Sequence, residues 1–312
     1  MAQVFFNATK NALNSITELF QLVHPLRTSM HYTRSAVAQI AAVNPTANNP
    51  FFKASIDPDD TVHGTDYQAA FINTPWEKQE EQLAWLLLNN LFAIHEGWVD
   101  SIFHERFERK GYGKKNFIDG LESTGLSAKF SSHYITTPMR SQMLTDAFFG
   151  TYKNASRLDF SKIDNYMLMY RYFKEARNSF MHGNCIASQR LIDAYTAYLP
   201  IATESDLDVT EVPAVTPPIL GQKIHLNIRG VIGFSDFVQR ILIISDVNLL
   251  QTKPAEEEFL SRKPSQALLT LSTNSSRAQK QIEQVCVNAG FLCPVWSEAL
   301  QQYMVAHKFV SR

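Results

Sequence analysis

From Trp76 to about Lys110 the chain repeats large apolar residues at helical spacing on two neighbouring stripes. Leu83, Leu87, Leu91, Ile94, Trp98 and Ile102 form one, and Leu88, Phe92, Val99 and Phe103 form the other. Apolar cover this wide predicts a helix buried on more than one side, a central strut that other helices must surround. Thr74-Pro75-Trp76-Glu77 reads as its entry, with Thr74 as N-cap and Pro75 at the first helical position. Gly111 and Gly113 are its stop.

Further helical patterns precede and follow the strut. Residues 8–44 predict two helices meeting near Pro25, and residues 44–75, rich in Pro, Asn, Asp and Thr, predict loop with one short helix near Asp66 to Ile72. Helices are expected over 137–152, from Asp159 to His182, and over 187–198. In the second of these, Met169, Phe173, Ala176 and Phe180 share one face, and Arg171, Lys174, Glu175 and Asn178 take the other. An acidic, proline-bearing stretch at 201–222 reads as a linker. Beyond it, 223–228 alternates Ile224, Leu226 and Ile228 as a short strand would, and helices follow at 235–250, 275–289 and 296–307. The expected organisation is an all-α helical domain over 1–200, a linker over 201–222 and a small, mostly helical C-terminal unit over 223–312. The last two helices have the spacing of a helix-turn-helix but lack its basic face.

Charge and cysteine usage remove several classes. Lys plus Arg number 29 against 30 for Asp plus Glu, so a chain that binds nucleic acid over its whole surface is excluded, and any RNA contact must be local. The compact basic stretch is 104–115, where Arg106, Arg109, Lys110, Lys114 and Lys115 outnumber Glu105 and Glu108. It reads either as a solvated helix end or as a track for phosphates. Three cysteines, Cys185, Cys286 and Cys293, make a disulfide scaffold or a zinc site a poor fit and point to a reducing compartment. The expectation is a cytoplasmic chain with no membrane span, no metal and no cofactor.

One cluster carries chemistry. Arg177-Asn178-Ser179-Phe180-Met181-His182-Gly183 gathers a guanidinium, an amide and an imidazole where a helix should stop. Asn178 and His182, four apart, share a face. Arg177 and His182 lie about 140° apart around the axis, too far to grip one phosphate from a single helix. Two copies of this helix end, meeting across a two-fold axis, would bring each arginine to the other chain's histidine. Glu96, in Phe92-Ala93-Ile94-His95-Glu96-Gly97-Trp98, falls on an apolar stripe of the strut. A carboxylate there reads as fixing helix packing, as holding Arg177 in place, or as a direct proton-transfer group. His24, His31, His63, His133, His225 and His307 stand alone in the sequence.

A helix ending in Arg-Asn-x-x-x-His-Gly, preceded by a long buried helix with one glutamate among aromatics, resembles the higher eukaryote and prokaryote nucleotide-binding (HEPN) superfamily. The resemblance covers about residues 76–200. It implies an all-α HEPN-like bundle, and a metal-independent endoribonuclease of a bacterial toxin, abortive-infection or antiviral defence system. Arg177 and His182 would carry the family's Arg-x4-6-His signature, with Asn178 its polar neighbour and Glu96 its buried glutamate. The partners implied are RNA, a second copy of the chain, and an antitoxin or activating protein. Asn184 stands where nucleotidyltransferase-paired members carry a tyrosine. The alternative is a non-catalytic module of the same kind that binds nucleotide or protein.

Overall fold

A computed structural model of the chain describes residues 3–59, 64–105, 140–263 and 269–311. Among these the regular structure is helical apart from one two-residue parallel pair and two isolated bridges, so the fold is all-α. In chain order the longer helices are α1 (Asn7–Val43), α2 (Asn49–Ile56), α3 (Trp76–Glu105), α4 (Gly150–Ser156), α5 (Ile163–His182) and α6 (Gln189–Tyr198). They continue with α7 (Ile228–Leu249), α8 (Lys253–Ser261), α9 (Ser275–Asn288) and α10 (Glu298–Ala306). Leu269–Thr270 (β1) and Val310–Ser311 (β2) pair in parallel.

The strut is α3. Leu83, Leu87, Leu88, Leu91, Phe92, Trp98, Val99 and Ile102 are all buried, which fulfils the double stripe. Its entry differs in detail from the expected Thr74 cap. The Thr74 hydroxyl donates back to Ala69 O at 2.8 Å, and the Pro75 carbonyl accepts the first amides of the helix. The expected C-terminal limit of the strut lies outside the described residues.

Helix α1 runs antiparallel to α3. Trp98 Nε1 donates to Thr9 Oγ1 at 2.9 Å near one end, and Arg34 Nη1 donates to Thr74 O at 2.7 Å near the other. The expected break at Pro25 does not occur, because contacts on both sides of the proline hold one axis through the missing amide bond. Helix α2 forms where the composition predicts loop, because Asn48 accepts from Phe51 N and Pro50 sits in its first turn. The turn at Ala69–Asn73 is a π-turn close to the expected short helix.

Helices α3, α5 and α7 meet on aromatic rings. Phe92 lies 5.0 Å from Tyr170 and 5.5 Å from Phe234, and Phe173 stacks on Phe234 at 4.4 Å. One hydrophobic core therefore runs from α3 and α5 into α7, α8 and α9, on both sides of the expected linker. The linker itself is seated. Ala214 and Pro213 press on Gly230 and Gly233 of α7, so closely that a Cβ at Gly230 would lie 1.9 Å from Ala214 O. Along 223–228 the burial alternates as expected, with Ile224, Leu226 and Ile228 inward. Instead of a sheet it forms an isolated antiparallel bridge, Ile186 with Lys223, and α7 starts earlier than predicted, at Ile228. Among the described residues no helix is long and apolar enough to cross a membrane.

The start of α1 has no side-chain cap of its own. Asp246 of α7 accepts from Phe5 N at 2.6 Å and Phe6 N at 3.0 Å, and Glu258 of α8 accepts from Asn7 N at 3.0 Å. Arg262 pairs with Glu258 at 2.5 Å and also donates to the Phe5 carbonyl. Both carboxylates are almost wholly buried. Removing one strands amide donors away from water, so Asp246→Ala is expected to cost about 3 kcal/mol. Thermal unfolding should show a melting point lower by about 5 °C.

Candidate functional site

Helix α5 presents the sequence cluster at its C-terminal end. It runs antiparallel to α3, since Phe180 stacks on Trp85 at 4.5 Å while Tyr170 meets Phe92 and His95 further along. Gly183 ends the helix, but not by a left-handed turn, because its φ is −123°. The left-handed residues are Asn184 and Cys185, at φ 52° and 63°. Glycine is needed at 183 for closeness: a Cβ there would sit 3.0 Å from Ser179 O, which already accepts from the amides of Gly183 and Cys185.

Two of the expected site residues are brought together. Arg177 Nη1 donates to Glu96 Oε1 at 2.9 Å, each side chain about a quarter exposed (23% and 25%). The guanidinium carbon lies 5.5 Å from the centre of the Phe92 ring, a cation–π contact. Arg177 Nε is buried and makes no hydrogen bond, so the carboxylate leaves part of the donor fork unused. The arginine is thus gripped from below and beside by α3. Its counter-charge sits at the rim of the bundle, where partial solvation makes a paired carboxylate tolerable.

Glu96 was expected deep in the apolar stripe. The wholly buried ionisable group is instead its neighbour, His95, turned about 100° further round the helix. Tyr170 Oη and His95 Nδ1 are 3.0 Å apart. Burial, helped by the charge of Lys174, pushes His95 down to about 3. Glu175, expected on the outer face of α5, is also buried.

His182 stands apart from this pair. It is exposed in the last turn, and among the described residues it makes no hydrogen bond or ion pair. Asn178 is half-buried and makes no hydrogen bond to it. Arg177 and His182 therefore point in different directions, inward to α3 and outward to solvent, as their angular spacing requires. Arg106, Arg109, Lys110, Lys114 and Lys115 lie outside the described residues. Among those described, no group of three or more His, Cys, Asp or Glu is placed to hold a metal ion.

One pairing was not legible in the sequence. His225, just before α7, lies with Nδ1 3.2 Å from Glu81 Oε1 of α3. The bridge between 185–187 and 221–224 sets where residue 225 lies, and it has no local sequence signal. The chain matches no family model, no curated protein and no solved structure.

The neutral, buried His95 sets a testable pH dependence. Its folded value is depressed, so its contribution to stability is full above about 6.5 and is lost as pH falls towards 3. Between pH 6.5 and about pH 4.5 the wild type should give up about 2 kcal/mol at this group. His95→Gln, which keeps an acceptor for Tyr170, should retain it. Guanidinium unfolding of both proteins at the two pH values measures the difference.

Proposed function

We propose that this chain is a HEPN-like, metal-independent endoribonuclease of a bacterial defence or toxin system, active as a homodimer with a composite Arg177/His182 site. One observation carries the reading. The helix end that bears the signature holds its arginine against Glu96 and Phe92 while leaving its histidine free at the surface. Such a pair offers a fixed cation and a proton carrier, and a second copy is needed to bring the two kinds of group to one phosphate.

RNA supplies its own nucleophile. His182 exchanges a proton with the 2′-hydroxyl or with the leaving 5′-oxygen. Arg177 places paired N–H donors on the phosphate oxygens as charge builds there. Glu96 sets the arginine's position, and Asn178 lines the approach. The products carry a 2′,3′-cyclic phosphate and a 5′-hydroxyl. The basic stretch around Lys110, an antitoxin and an activating protein belong to this proposal as further contacts of the same chain.

Purified protein should cut single-stranded RNA in EDTA. His182→Ala and Arg177→Ala should each slow cleavage about 10²- to 10³-fold, and Glu96→Gln about tenfold. Equal cutting by wild type and His182→Ala would end the nuclease reading, and RNA bound without turnover would mark a binding module instead. A mass of one chain in solution, with cleavage intact, would remove the composite site.

A further inference from the structure

His182 can serve only one of the two proton transfers that RNA cleavage requires, and the fold supplies a second imidazole at the same end of the bundle. The segment after the expected linker is stitched to the residues that follow α5. Ile224 N donates to Cys185 O at 2.7 Å, Ala187 N to Gln222 O at 2.9 Å, and Gly221 N to Ala187 O at 3.0 Å. This ladder carries His225 to within a few residues of the α5 terminus. Glu81 arrives there from α3, one helical turn before Trp85, whose ring stacks on Phe180.

Glu81 Oε1 is shut off from solvent and makes no hydrogen bond. His225 Nδ1 is within ion-pair distance of it at 3.2 Å, off the line of a hydrogen bond. The imidazole is 62% exposed, so its other nitrogen is free to meet a ligand. Both residues line a cavity of about 600 Å³, whose other charged groups are Glu77, Lys78, Glu80 and Lys223. Glu80 is engaged by Arg27 across the α1–α3 contact. What remains is an imidazole beside the Glu81 carboxylate, flanked by Lys78, Lys223 and Glu77, in a space large enough for a nucleotide.

We infer that His225, oriented by Glu81, is the second proton-transfer group for RNA cleavage, complementary to His182 and drawn from the same chain. The inference rests on the ribonuclease reading above. One imidazole takes the proton of the 2′-hydroxyl as its oxygen bonds to phosphorus. The bond from phosphorus to the 5′-oxygen breaks, and that oxygen takes a proton from the other imidazole. One proton is gained and one given up by the pair, with no change of oxidation state.

The test is single-turnover cleavage of single-stranded RNA by the full chain in EDTA, from about pH 5 to 9, the range in which imidazoles titrate. His225→Ala should slow cleavage about 100-fold or more and remove one limb of the pH–rate profile. Circular dichroism and melting temperature should not change, because the ring is mostly exposed. Glu81→Gln should slow cleavage about tenfold through kcat with KM unchanged, a split that a purely structural role would not produce. Wild-type rate and profile in His225→Ala, with His182→Ala inactive, would overturn the inference and leave the nuclease reading standing. A wild type that leaves RNA whole would bring down the nuclease reading, and this step with it.

Discussion

Three rings from three helices, Phe92, Tyr170 and Phe234, fix how α3, α5 and α7 sit against one another. Rings of this size bury large areas and prefer offset or edge contacts, so they specify spacing and rotation together. The rotation matters most for Arg177, whose guanidinium rests over Phe92 while Glu96 closes on it. Had α5 turned by one residue, the arginine would leave α3 and His182 would swing inward. The electrostatics of the cluster are thus a by-product of how the core packs.

Polarity is graded along this contact. His95 and Tyr170 share a contact in the dry interior, where the imidazole stays neutral. One residue along α3, Glu96 and Arg177 are charged but partly wet. At the far end His182 is exposed. Over about three turns of α5 the environment passes from one that suppresses charge to one open to solvent.

Much of this was legible in the sequence. The double stripe of α3 and the alternation of Ile224, Leu226 and Ile228 follow directly from side-chain periodicity, because burial imposes it. The Arg177–Glu96 contact is one of three readings of a lone carboxylate on an apolar stripe. Other features escaped for physical reasons. Pro25 breaks a helix only where packing does not hold both sides, and packing is a long-range fact. Seating of the presumed linker depends on Gly230 and Gly233 offering a notch, which composition alone does not announce. His225 meets Glu81 only once two distant segments have paired.

The capping of α1 imposes an order on assembly. Its first amides are satisfied by Asp246 and Glu258, 240 to 251 positions downstream. During synthesis the amino-terminal segment leaves the ribosome first, yet its end stays open until α7 and α8 emerge. The bundle therefore cannot close while translation is in its early part. Truncated products ending before residue 246 would carry the Arg177 helix end without the closure that completes the core.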